Sequence, residues 1–180
     1  MVYILLGTGF EEVEAITPLD LLRRAGVEVM TVGINGKHIT GGHGITVEAD
    51  ITLGQIDLTA IEMIVLPGGL GGVASIRASQ EAMDVISFAH ENNKFVAAIC
   101  AGPTVLADLH ITDLRTAVCY PGCETVMGSA RICTHKPCVQ DGNVITGTSA
   151  GCAVPFGLAL IAALKGDEAA STVAQQIVIR

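Results

Sequence analysis

Phe95-Val96-Ala97-Ala98-Ile99-Cys100-Ala101-Gly102-Pro103 reads as an apolar strand that turns at a cysteine directly into a helix. Ala101 and Gly102 are small enough for a tight turn. Pro103 suits a first helical turn, because the amide hydrogen it lacks would have no partner there. A thiol so placed sits on the helix's positive end, where oriented amides favour thiolate over thiol, and the thiolate is the nucleophile. A cysteine beside an apolar run is also a common inert core residue. The spacing supports both readings, and the reactive one directs attention to what surrounds the turn.

Outward from Cys100, strands and helices alternate. Val2 to Leu6 is a continuous apolar run ending at Gly7-Thr8-Gly9, and Glu11 to Ala25 carries Val13, Ile16, Leu19 and Leu22 at helical spacing, closed by Gly26. Val27 to Val32 reads as a second strand, Ile39 to Val47 as a glycine-broken hairpin, and Met63 to Leu66 as a central strand ending in Pro67-Gly68-Gly69. Gln80 to Asn92 is helical, Ala101 to Leu109 is the helix after the cysteine, and Thr116 to Tyr120 is a further strand. Val139 to Thr146, turning at Asp141-Gly142, reads as a hairpin, and helices over Cys152 to Leu164 and Asp167 to Ile179 finish the chain. The pattern is that of an α/β protein with a mostly parallel sheet covered by helices on both faces.

The 180 residues, half of them hydrophobic, suffice for one such domain, residues 1–180, and are too few for two of ordinary size. Ten basic against 18 acidic residues give a net charge of -8, which argues against a nucleic acid or an anionic membrane as partner. Met1 leads straight into the first strand without a basic leader or cleavage site, so the expected compartment is the cytoplasm. Asn143 to Leu164 carries no charge and is long enough to span a bilayer. Gly147, Thr148, Ser149, Gly151 and Pro155 instead divide it into a strand, a loop and a buried helix.

In parallel sheets ligands bind beyond the carboxyl ends of the strands, where the loop before Glu11, the Pro67-Gly68-Gly69 turn and Cys100 all fall. The glycines at 68, 69, 71 and 72 lack the Gly-Lys-Ser/Thr of a phosphate loop and form no G-x-G-x-x-G fingerprint, so no nucleotide cofactor is expected. Gly68 and Gly69 better serve close backbone approach, offering an amide to an oxyanion together with that of Ala101. Of the acids opening the first helix, Glu11, Glu12 and Glu14, two are expected to lie in solvent and complement the helix end. Glu14, flanked by Val13 and Ala15, is placed to point over the sheet toward the thiol. A partly buried carboxyl there has a raised pKa, and while protonated it donates a hydrogen bond to a thiolate.

Ala97-Ala98-Ile99-Cys100-Ala101-Gly102-Pro103, Gly9-Phe10-Glu11-Glu12-Val13-Glu14, Val65-Leu66-Pro67-Gly68-Gly69 and the Leu19-to-Gly26 stretch together resemble the ThiJ/PfpI superfamily. Within it they resemble most the branch of the parkinsonism-associated protein deglycase. The resemblance runs from Val2 to about Val178 and implies a flavodoxin-like sandwich, akin to class I glutamine amidotransferase domains, usually a homodimer. It also implies that Cys100 is nucleophile and readily oxidised residue, that Glu14 is its protonated partner, and that the amides of Gly69 and Ala101 line the oxyanion site. Where many members of that branch have a His-Pro step, this chain has Tyr120-Pro121. Tyrosine, with an ordinary pKa of about 10, is a poor base near neutrality and serves as a hydrogen-bond donor instead. None of His38, His43, His90, His110 or His135 falls at a family base position, and His135 reads as a surface histidine.

The remaining cysteines offer other chemistry. Cys119, Cys123, Cys133, His135 and Cys138 can be drawn as a loosely spaced zinc site, but strand alternation puts some of them on opposite faces, and no metal is expected. Cys123 and Cys152 are candidate resolving thiols for an oxidised Cys100; the other reading of both is packing. Two functions follow. One is a cofactor-independent cysteine enzyme acting on small reactive carbonyls, of the glyoxalase or deglycase kind the resemblance implies, in the response to carbonyl and oxidative stress. The other is a redox-sensing or chaperone-like protein in which Cys100 is oxidised rather than turned over. An intracellular cysteine peptidase is a third reading, weakened by Tyr120.

Overall fold

All of Val2–Leu6 (β1) and all of Met63–Leu66 (β6) are buried, so these strands lie at the centre of a sheet covered on both sides. The computed structural model describes residues 1–179. Between these two strands come α1 (Glu12–Arg24), β2 (Val29–Gly33), a hairpin of β3 (His38–Thr40) and β4 (Thr46–Glu48), and β5 (Ile51–Thr52). After β6 follow α2 (Leu70–Ala78), α3 (Gln80–Glu91), β7 (Phe95–Ile99), α4 (Pro103–Asp108), β8 (Thr116–Ala117), β9 (Arg131–Ile132), β10 (Cys138–Asp141), β11 (Val144–Gly147), α5 (Ala153–Lys165) and α6 (Asp167–Gln176).

Seven strands form the main sheet in the order β10-β11-β7-β6-β1-β2-β5, all parallel except β10, which runs antiparallel to β11. Alternate residues feed opposite layers. Val2, Ile4 and Leu6, with Met63 and Val65, pack on Leu22, Phe156 and Leu160 of α1 and α5. Tyr3 and Leu5, with Ile64 and Leu66, pack on Val73, Ile86 and Val105 of α2, α3 and α4. Each such side chain contributes roughly 1.5–3 kcal/mol by leaving water, and the two layers hold the carboxyl ends of β1, β6 and β7 rigidly side by side. This is the flavodoxin-like sandwich expected.

Differences from the sequence reading have local causes. The strand expected over Thr116 to Tyr120 shrinks to Thr116–Ala117 and pairs with β9 in a separate two-stranded ribbon. Beyond it the amide of Val118 bonds to Thr146 Oγ1 and that of Tyr120 to the carbonyl of Cys100, so no ladder continues. Helix α2 carries little signal in the sequence, because its first turn, Leu70-Gly71-Gly72, has poor helix propensity. Its glycines are required by contact: a Cβ on Gly72 would lie 2.7 Å from Phe10 Cα. The helix after the cysteine begins at Pro103 rather than Ala101. No helix among the described residues is long and apolar enough to cross a membrane, and Asn143 to Leu164 is divided between β11 and α5.

Candidate active site

Cys100 directly follows β7 with a φ of 65°, the left-handed region, which costs a residue bearing a Cβ about 1–3 kcal/mol. Three backbone hydrogen bonds hold it there. Its amide donates to Gly147 O (3.0 Å), its carbonyl accepts from Tyr120 N (2.8 Å), and Gly102 N donates to Ile99 O (2.9 Å). The bend lifts the thiol off the strand into a half-buried position facing the exit of β6. The sulfur therefore lies before the short helix α4 rather than on its first turn, and the amides of Ala101 and Gly69 supply the donors directed at it.

Glu14, from the first turn of α1, is fully buried beside this thiol. Its Oε2 accepts from the Gly68 amide at 2.8 Å, Oε1 is buried without a hydrogen-bond partner, and the Cys100 thiol is the carboxyl's other neighbour. Burial raises the Glu14 pKa, and contacts with Cys100 and the Gly68 amide only partly offset it. Burial, then the charge and hydrogen bond of Glu14, push the Cys100 thiol up to about 12, against the amides of Ala101 and Gly69. One proton thus serves both groups. Held by the Glu14 carboxyl, it joins the amides of Gly69 and Ala101 as a third donor to the sulfur, the arrangement suited to thiolate beside carboxylic acid.

Gly68 makes the approach possible. A Cβ there would stand 2.5 Å from Glu14 Oε2 and 2.7 Å from Cys100 Cβ. Gly68→Ala is expected to cost about 1–3 kcal/mol in denaturant unfolding and to slow Cys100 alkylation. Wild-type values for both would mean that the two side chains part freely.

A cavity of about 300 Å³ opens over the sulfur, lined by Glu11, Gly69, Leu70, Cys100, Ala101, Tyr120 and Cys123. The structure thus brings together Cys100, Glu14, Gly69 and Ala101, with Tyr120 half exposed on the cavity wall. Of the two candidate resolving thiols, Cys123 lines this cavity. Cys152 lies instead near Cys138, with Ser149 Oγ 3.9 Å from its sulfur. The residues drawn as a zinc site disperse: Cys133 Sγ meets His135 Nδ1 at 3.7 Å, but no three of their ligand atoms come together among the described residues.

The acids of the α1 entry require a correction. Glu12, expected in solvent, is 6% exposed. Its Oε1 accepts from the amides of His43 (2.8 Å) and Ile45 (3.4 Å), and its Oε2 meets His43 Nδ1 at 2.9 Å. Glu11, half buried, faces the cavity, with Oε1 3.6 Å from the same imidazole nitrogen. His43 is hard to single out in the sequence, because Glu12 lies 31 residues earlier; the Gly41-Gly42-His43-Gly44 hairpin tip is the available signal, and a Cβ on Gly41 would collide with the Glu12 carboxylate. The ligand atoms of Glu11, Glu12 and His43 lie within 4.8 Å of one another, a metal-like spacing, but both Glu12 oxygens are already engaged by the hairpin.

Burial raises the Glu12 pKa, yet the bonds from His43 and the amides outweigh it and bring it down to about 2 from 4.5. A carboxylate depressed on folding stabilises above its unfolded pKa, and the contribution fades as pH falls from about 4.5 toward 2. Glu12→Gln should therefore destabilise by about 1–3 kcal/mol at neutral pH, with the difference from wild type shrinking across that acid window. A difference constant with pH would assign the loss to packing.

A left-handed cysteine at the end of a parallel strand, with a buried carboxyl at its sulfur, defines a cysteine-elbow protein of the α/β class. The chain belongs to the DJ-1/PfpI family, which residues 1–163 match. It is 32% identical over 178 residues to the protein dj-1beta of Drosophila melanogaster, covering 98% of this chain and 95% of that one. It is also 32% identical over 146 residues to a deglycase of Pyrococcus abyssi, covering 81% and 87%. The crystal structure of Drosophila DJ-1beta superposes with a TM-score of 0.93 over 99% of this chain and 97% of that chain. The resemblance drawn from the motifs is borne out.

Proposed function

We propose that this chain is a cofactor-independent cysteine enzyme acting on small reactive carbonyls, of the glyoxalase or deglycase kind, working as a homodimer. The observation that carries the reading is the convergence of Glu14 and the amides of Gly69 and Ala101 on the Cys100 sulfur, beneath a cavity of about 300 Å³. The deglycase name of the Pyrococcus relative supports the same chemistry.

With methylglyoxal, the Cys100 thiolate adds to the aldehyde carbon and the carbonyl electron pair moves to oxygen. The resulting alkoxide meets the amides of Gly69 and Ala101 and takes the Glu14 proton, giving a hemithioacetal. Glu14, now a carboxylate, removes the hydrogen of that carbon as a proton and returns it to the neighbouring ketone carbon through an enediol. The first carbon is thereby oxidised to a thioester and the second reduced to an alcohol. Water then releases lactate and regenerates the thiol, so the redox change is internal and needs no external acceptor.

Cys123 in the same cavity favours a second reading, a redox sensor. Peroxide would oxidise Cys100 to a sulfenic acid, releasing water, and the Cys123 thiol would displace a second water to leave a disulfide. The peptidase reading has less support, since no imidazole lines the cavity. Steady-state lactate formation by reduced protein without added cofactor separates them. Many turnovers per chain support the enzyme; none, with Cys100 oxidised stoichiometrically and before the other five cysteines, support the sensor.

A further inference from the structure

Glu11 lines the cavity that holds the thiol, and His43 Nδ1 stands 3.6 Å from Glu11 Oε1 and 2.9 Å from Glu12 Oε2. Glu12 is tied down by the hairpin amides, and the His43 side chain is 69% exposed. We propose that Glu11 and His43 form a charge filter at the mouth of the site, admitting uncharged small carbonyls and rejecting anionic ones, with His43 setting the strength of the rejection. This rests on the reading of Cys100 as the nucleophile and adds the substrate class that the pocket accepts.

The charged groups facing His43 are Glu11 and Glu12, both from the entry to α1; the hairpin tip that carries it, Gly41 to Ile45, has no other charged side chain. With His43 protonated, the three groups carry a net charge of -1; with it neutral, they carry -2. Glu11 and Cys100 line one cavity of about 300 Å³, so an anionic ligand at the sulfur shares that space with the Glu11 side chain. The hydrogen bond to Glu12 and the charge of Glu11 hold the imidazole pKa above its ordinary 6.5. The change of charge therefore comes at a higher pH than for a free imidazole, and anions are rejected more strongly as pH rises through it. His43 touches no reacting atom. It is a positioning residue that acts through Glu11.

The test compares two alkylating probes of similar size, neutral iodoacetamide and anionic iodoacetate, with Cys100 followed by peptide mass spectrometry. Both react with thiolate, so the ratio of their rates cancels the ionisation of Cys100 itself. Relative to the ratio for glutathione, iodoacetate should be disfavoured by about threefold to tenfold, more so with rising pH. Glu11→Gln should remove most of that handicap and its pH dependence. His43→Asn should fix the handicap near its high-pH value at every pH, and His43→Lys should keep the low-pH value. A wild-type ratio that equals glutathione's, or does not move with pH, overturns the proposal.

Turnover of glyoxal, an uncharged dialdehyde that the same proton transfer carries to glycolate, tests the carbonyl reading separately. If glyoxal is not turned over while the alkylation ratio still follows His43, the carbonyl enzyme falls and the filter stands. If glyoxal is turned over with a flat ratio, the filter alone falls.

Discussion

Cys100→Ser is expected to end lactate formation from methylglyoxal, a fall of about a thousandfold or more in kcat/KM, while the protein stays folded. The exchange of sulfur for oxygen removes little volume and leaves the three backbone bonds at Gly147, Tyr120 and Ile99 in place. What disappears is the nucleophile. A serine hydroxyl ionises far less readily than a thiol, and the elbow supplies no imidazole to take its proton. An unchanged thermal midpoint beside lost turnover assigns the loss to chemistry. Activity retained at about a tenth of wild type or better would move the nucleophile to another residue.

Glu14→Gln should separate two properties that Cys100→Ser removes together. The amide is isosteric with the carboxylic acid. Its oxygen can still accept from the Gly68 amide and its NH2 group can donate toward the sulfur, so alkylation of Cys100 should stay within about tenfold of wild type. It cannot give up a proton to the alkoxide or carry one between the two substrate carbons. Turnover should fall by about 10²–10⁴-fold, the span of a lost general acid and base. Parallel loss of alkylation and turnover would reduce Glu14 to a group that only tunes the thiol. Turnover at the wild-type rate would hand proton transfer to Glu11, the acidic residue that lines the cavity.

Much of this arrangement was legible in the chain because the signals are local. Continuous apolar runs ending in Gly7, Pro67 and Cys100 marked the parallel strands, and small residues after Cys100 marked a turn. Glu14 could be singled out from Glu11 and Glu12 because its neighbours Val13 and Ala15 suggested burial, although Val13 itself proves half exposed. The same reasoning misjudged Glu12. Nothing near it in sequence announces that a glycine-rich hairpin tip thirty residues on will fold over it with two amides and an imidazole. The Cys119-to-Cys138 stretch shows the converse: closeness in sequence allows a ligand set to be drawn, yet no three of its ligand atoms come together among the described residues.

The sequence by itself determined the α/β sandwich and the turn at Cys100 on which Glu14, Gly69 and Ala101 converge, since hydrophobic period, turn residues and motif spacing act over a few residues at a time. Only the tertiary structure decided the left-handed backbone of Cys100, the unpartnered oxygen of Glu14, the choice of Cys123 over Cys152 beside the cavity, and the Glu11-Glu12-His43 network. Each depends on groups from strands and loops far apart in the chain. A strained dihedral or a buried charge persists only where the packed sheet holds such groups within hydrogen-bonding distance.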